Sequence, residues 1–194
     1  MSSHFCNHNR MWRIEPGGHS IRLLRGHGLR WSIFLSLALL GAVQYFYYAP
    51  RLPEVLGSHF GITGALNGWQ TKTAFFSIEL VIISMATMVC FGVPRLIEAM
   101  PVSLINLPHK EFWLGLERRE DTLSYIRAWP AWFGCGLLAF LLFVMELAFR
   151  ANLQTPPHFD NAAFLPALLA FVAVDTVLLM RLILHFSRVT GPKP

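Results

Sequence analysis

Hydrophobic positions along this chain gather into four long runs. The first extends from Trp31 to Ala49 without a charge, and the second from Ala74 to Val93 with Glu79 as its only interruption. The third covers Ala131 to Phe149 with Glu146 near its end, and the fourth covers Ala162 to Leu184 and holds Asp175 and Arg181. Each meets the roughly 18 to 20 mostly apolar residues that a helix needs to cross a bilayer. No water is available in lipid to satisfy a free backbone amide, so each run is expected to be helical. The predicted fold class is therefore all-α, an integral membrane bundle of four transmembrane helices arranged as two hairpins.

The polar stretches divide the chain further. Residues 1–30 contain Pro16-Gly17-Gly18 and Gly26-His27-Gly28 and read as an irregular basic tail. Residues 31–94 form a first transmembrane hairpin around an outer loop at 50–73. Residues 95–130 form an amphipathic loop, 131–186 a second hairpin and 187–194 a short tail. A signal peptide would share the basic lead-in of Arg22, Arg25 and Arg30, but Tyr47-Tyr48-Ala49 places bulky rings where a signal peptidase needs small residues. The first run is thus read as a retained anchor, with Tyr45-Phe46-Tyr47-Tyr48 as an aromatic belt. Residues 1–10 show no periodicity, which makes Met11 as good a start as Met1.

Composition agrees with a lipid solvent. The 194 residues are 54% hydrophobic and only 14% charged, with 16 Phe and 6 Trp. A formal net charge of +5 raises the question of nucleic acid. The basic residues, however, flank the apolar runs instead of forming one continuous stripe, so no nucleic-acid partner is expected. Their distribution predicts orientation. Arg10, Arg13, Arg22, Arg25 and Arg30, then Arg95, Lys110, Arg118, Arg119 and Arg127, then Arg181, Arg188 and Lys193 fall on one side, against Arg51, Lys72 and Arg150 on the other. By the positive-inside rule both termini and the 95–130 loop face the cytoplasm, and the loops at 50–73 and 150–161 face outward.

The outer loop holds the densest candidate chemistry. It reads Pro50-Arg51-Leu52-Pro53-Glu54, then His59-Phe60-Gly61, Gly64 and Gly68-Trp69-Gln70-Thr71-Lys72. Proline and glycine in this density predict a compact turn structure capping the first hairpin. The competing reading makes Glu54, His59, Trp69 and Lys72, with Glu79 below them, a ligand site. A lone histidine is a weak metal signal, and no metal or cofactor is expected. Ionisable groups inside a membrane are functional candidates by default. Gln44, Glu79 and Glu146 fall in the outer third of their helices and could form one polar layer beneath His59. Asp175 lies deeper, whereas Arg181 can snorkel to the surface.

The outer-loop pattern Leu52-Pro53…His59-Phe60…Gly64…Gly68-Trp69…Lys72, following a first membrane helix, resembles the domain of unknown function 1648 (DUF1648), which opens the SdpI-type immunity proteins of bacteria. The inner loop, Asn106-Leu107-Pro108-His109-Lys110-Glu111-Phe112-Trp113 followed by Glu117-Arg118-Arg119-Glu120, is similar to a cassette found in many relatives. Together the two cover about residues 45–125. The chain departs from the family pattern at Asn67 and His109, and it ends after its fourth helix like a short member. The resemblance implies a bacterial plasma (inner) membrane protein, protection against a secreted toxic peptide, and signalling through a cytoplasmic protein partner.

Read from its residues, the inner cassette suits a segment lying on anionic lipid, with Lys110, Trp113, Arg118 and Arg119 as a candidate docking surface for a cytoplasmic partner. The tail motif His4-x-Cys6-x-His8 matches no standard zinc spacing. Of the three cysteines, Cys90 and Cys135 lie in apolar runs, and with no CxxC pair a disulfide framework is not expected. No nucleophile elbow, HExxH, P-loop or dinucleotide fingerprint occurs. The reading is a non-enzymatic membrane protein for immunity or sensing, binding an extracellular peptide or lipid ligand. A small membrane-embedded enzyme with an outer polar or metal site, a transport subunit and a homo-oligomer all stay open.

Overall fold

A computed structural model describes residues 18–187, with side chains from residue 28 onward except at 98. The tail motif His4-x-Cys6-x-His8, Arg188 and Lys193 lie outside the described residues. Six helices and one hairpin follow in order: α1 (Gly18–Tyr48), β1 (Val55–Phe60), β2 (Leu66–Thr71), α2 (Lys72–Thr87), α3 (Val93–Ala99), α4 (Lys110–Trp113), α5 (Arg119–Asn152) and α6 (Asn161–Ser187). Four helical stretches are long and apolar enough to cross a membrane: Gly28–Tyr48, Lys72–Ile97, Arg119–Asn152 and Asn161–Ser187. These contain the four predicted runs except for Ala49, which lies just past the first stretch. The chain is thus mostly helical, with four helices capable of crossing a membrane, as in a multi-pass membrane protein.

Three boundaries differ from the expectation. Helix α1 begins at Gly18, inside the segment read as irregular, because Gly26 and Gly28 lower helix propensity by only about 1 kcal/mol each and a long helix absorbs that. Helix α5 begins at Arg119, inside the predicted amphipathic loop. Its 34 residues extend about 50 Å at 1.5 Å per residue, well past a hydrocarbon core of about 30 Å. The outer loop is a correction to the all-α expectation. It is an antiparallel β-hairpin, with Val55 opposite Thr71, Gly57 opposite Trp69 and His59 opposite Gly68.

Helix α5 is the central post. In its most apolar stretch 39% of residues are buried, against none in the corresponding stretch of α6. Helices α1, α2 and α6 each pack against it. Close approach is possible where side chains are small: a β-carbon on Gly134 of α5 would sit 2.6 Å from Cβ of Cys90. Cys90 belongs to a π-helical turn, Met88–Gly92, that joins α2 to α3. Pro94 explains the turn, since it has no N–H to offer the carbonyl of Cys90, and Val93 instead bonds to Met88.

Two apolar clusters hold the bundle at its two ends. The larger unites Tyr48, Leu52, Leu56, Phe75, Leu147, Ala148, Phe149, Ala151 and Phe159 beneath the hairpin. The smaller unites Cys90, Phe91, Ala131 and Cys135 at the π-turn. Tyr48 is buried, so of the predicted aromatic belt only Tyr45, Phe46 and Tyr47 present exposed rings.

Candidate functional site

The hairpin is fastened to the bundle by side chains from both neighbouring helices. Asn152, the last residue of α5, is buried and faces Gly57 of β1. Its Oδ1 accepts from Gly57 N at 2.6 Å, and its Nδ2 donates to Gly57 O at 3.0 Å and to Ala148 O at 2.9 Å. One amide thus supplies the edge pairing that a third strand would give. Asn161, opening α6, donates to Ile62 O at 2.7 Å and to Gly61 O at 3.3 Å. The turn of the hairpin bonds in return to the α5–α6 connection, with Phe159 N donating to Gly64 O at 2.9 Å. Gly64 has φ +82, and a β-carbon there would collide with Phe159 O, so only glycine fits.

Lys72 and Glu54 form a second fastening. The Lys72 ammonium lies 2.7 Å from the Glu54 carboxylate and donates to Leu52 O at 3.2 Å and Ala49 O at 3.3 Å. It therefore neutralises carbonyls released where α1 ends, the favourable place for a cation on a helix. Thr71 accepts from Ala74 N and caps α2, so strand passes into helix without a loop.

The other outer candidates do not converge. His59 and Trp69 are exposed on the hairpin, and among the described residues the hydrogen-bond partner of His59 Nδ1 is Ser58 Oγ at 3.0 Å. The proposed polar layer is assembled in part. Glu146 accepts from Gln44 at 2.9 Å, from Tyr48 Oη at 2.7 Å and from Arg150 Nε at 2.7 Å. Glu79 is not a member.

Glu79 instead lies on the wall of two clefts on either side of α2. The larger, about 630 Å³, opens between α1 and α2 over α5 and is lined mainly by apolar side chains, among them Leu37, Phe76, Leu80 and Leu142. Lys72 and Tyr45 stand on the same walls. The smaller, about 370 Å³, lies between α2, the hairpin and α6. Glu79 sits seven residues after Lys72, about 10 Å along the helix. Its carboxyl has no hydrogen-bond or ion-pair partner among the described residues. Of the predicted ligand set, the fold therefore brings Lys72 and Glu79 to one cleft and ties Glu54 to Lys72.

Comparison with known protein families, with curated proteins and with solved structures finds no match to this chain.

At the opposite end the inner cassette folds back on the bundle. Helix α4 has only four residues, and His109 before it holds φ 52. Trp113 donates from Nε1 to Phe186 O at 3.1 Å and packs its ring 4.9 Å from that of His185. Thr122, buried near the start of α5, donates to Trp113 O at 2.7 Å. Trp113 is thereby a strut between α5 and α6, while Arg118 covers the Phe112 ring at 4.1 Å. Lys110 is half-buried and Arg118 exposed, whereas Nε of Arg119 is buried without a hydrogen-bond partner among the described residues.

Sequence reasoning passed over Asn152, Asn161 and Tyr48 as functional parts of the frame. Asparagine next to an apolar run is the usual sign of a helix end. Nothing local says which distant strand its amide will bind. Among the described residues no three His, Cys, Asp or Glu side chains gather as a metal site.

Proposed function

We propose that this chain is a non-enzymatic membrane receptor that captures a hydrophobic peptide bearing a cationic or hydrogen-donating group, for immunity or sensing. The observation that carries the reading is the α1–α2 cleft, with an unpartnered Glu79 carboxyl on an otherwise mostly apolar wall. A carboxyl inside a membrane is costly to keep without a partner, and a ligand that supplies a donor or a cation offsets that cost. A few convergent polar groups in an apolar concavity are also the general form of a small-ligand site. The resemblance of residues 45–125 to SdpI-type immunity proteins points the same way, as does the basic bias that favours an outward hairpin. In this reading the chain resides in a bacterial plasma membrane with both ends cytoplasmic. The hairpin roofs the cleft, and ligand capture alters how α2 packs on α5.

Cells carrying the chain are expected to survive a secreted cationic hydrophobic peptide better than cells without it. Glu79→Gln should abolish that protection while the purified variant remains folded. Equal protection by the variant would overturn the reading. Orientation is tested separately by single-cysteine variants His59→Cys and Arg118→Cys, both at exposed positions, on a background lacking native cysteines. A membrane-impermeant thiol reagent should label position 59 and not position 118 in intact cells. The reverse labelling would remove the outward hairpin and the ligand site with it.

A further inference from the structure

The α1–α2 cleft runs as a groove along the bundle. Its α1 wall extends from Phe34 to Ala49, about 22 Å of helix, against roughly 30 Å for a hydrocarbon core. Its floor is α5, at Leu138 and Leu142. Helix α6 packs on α5 and lines the smaller cleft beyond α2, and none of its described residues lines the groove. The side opposite α5 is thus closed by no other described helix.

The two walls differ in kind. Over the middle of the groove α1 presents the small residues Ala38, Gly41 and Ala42, whereas α2 presents Phe76, Glu79 and Leu80. Aromatic contacts brace the walls at either end. Tyr45 meets Phe76 at 4.8 Å between ring centres, and Phe34 meets Phe91 of the π-turn at 4.7 Å. Between these braces Ala38 and Ala42 are exposed.

This geometry limits what can fill the groove. A peptide at hydrocarbon depth has no water for its backbone, so it has to be helical. Small residues on one wall let a helix backbone come close. The Glu79 carboxyl answers to a cation or donor about 10 Å below the hairpin end of α2. A phospholipid holds its charged headgroup at the surface and offers only acyl chain at that depth. A second copy of this chain in the same orientation does not supply the charge either. Arg150 lies near the right end but is bonded to Glu146, and Arg181 lies about 30 Å along α6 from the hairpin.

We propose that the groove takes a membrane-spanning helix carrying a lysine or arginine opposite Glu79, so that the captured peptide docks as an inserted helix. This rests on Glu79 being the capture group of the receptor. The docked helix makes a four-helix arrangement with α1, α2 and α5, its cation on Glu79 and its apolar side chains on Leu80, Leu138 and Leu142. It enters sideways from the lipid, through the side that faces away from α5.

The full chain in proteoliposomes tests this with synthetic helices of about 20 leucine and alanine residues. Each carries a dansyl group and, about seven residues from one end, a lysine, a leucine or a glutamate. Energy transfer from the tryptophans of the chain reads association. The lysine helix should associate about tenfold more tightly than the leucine helix, and the glutamate helix less than either. Glu79→Gln should remove the preference for lysine. Ala38→Leu fills the groove at an exposed position and leaves Glu79 in place; it should weaken the lysine helix by about tenfold. Leu40→Phe, exposed on α1 outside the groove, should not. Equal association of the three helices would overturn the proposal, as would a lysine preference undiminished by Ala38→Leu. A Glu79-dependent gain in thermal stability from dodecylamine, with no preference among the helices, would keep Glu79 as a capture group and overturn the helical occupant alone. Full protection of cells by Glu79→Gln, with the lysine helix still docking in proteoliposomes, would remove the immunity role and leave the docked helix standing.

Discussion

The two ends of the bundle are built on opposite terms. At the hairpin end the described polar groups are largely answered: Asn152 by Gly57, Asn161 by the hairpin turn, Lys72 by Glu54 and the carbonyls of Ala49 and Leu52, Glu146 by Gln44, Tyr48 and Arg150. A nine-residue apolar cluster lies beneath them. At the other end the buried cluster has four residues, and Nε of Arg119 is buried without a hydrogen-bond partner among the described residues. The Glu79 cleft between the two is likewise unanswered. Satisfied polar groups rigidify, because each would cost free energy if its partner left. Unsatisfied ones are where a ligand can still gain something.

Substitutions should therefore divide cleanly by region, with stability lost at the hairpin end and binding lost elsewhere. The largest effect is expected of Asn152→Ala, which strands the Gly57 amide and carbonyl: about 3 kcal/mol of destabilisation, read by chemical unfolding in detergent micelles. Gly64→Ala should cost about 2 kcal/mol, since φ +82 and the Phe159 carbonyl both oppose a β-carbon. Trp113→Phe keeps the ring but loses the bond to Phe186 O, and about 1 kcal/mol should follow in the same assay. Glu54→Gln should fall below about 0.5 kcal/mol, because 85% of the Glu54 side chain is exposed and water screens the pair.

The smallest effect sharpens the comparison most. Glu79→Gln has no hydrogen bond or ion pair among the described residues to lose and should leave stability within about 0.5 kcal/mol of the parent while ligand protection disappears. A loss near that of Asn152→Ala would mean that Glu79 belongs to the frame, and the contrast between the two regions would fail there.

The four membrane helices were legible because lipid imposes a local rule: a long enough apolar run has no choice but to be helical. The cluster around Glu146 was half legible, from the depth of Gln44 and Glu146 in their helices. Glu79 was misplaced within it because depth does not say which way a side chain turns about the helix axis. The hairpin was hidden by its own glycines and prolines, which read as turn residues although Gly57 and Gly68 lie inside strands. Trp113 looked like an exposed docking group because its sequence neighbours are charged, while its true neighbour, Phe186, lies 73 residues away.

The amino-acid sequence by itself thus determined the number of helices long and apolar enough to span a membrane and the grouping of its basic residues. These follow from composition and run length, which are properties of neighbours along the chain. Only the tertiary structure decided that Asn152 closes the edge of a hairpin, that Glu79 stands apart from Glu146, and that α1 and α2 leave a groove between them over α5. Those outcomes depend on which faces of α1, α2, α3 and α5 meet, and rotation of a helix about its axis is set by packing across the bundle rather than by any local sequence preference.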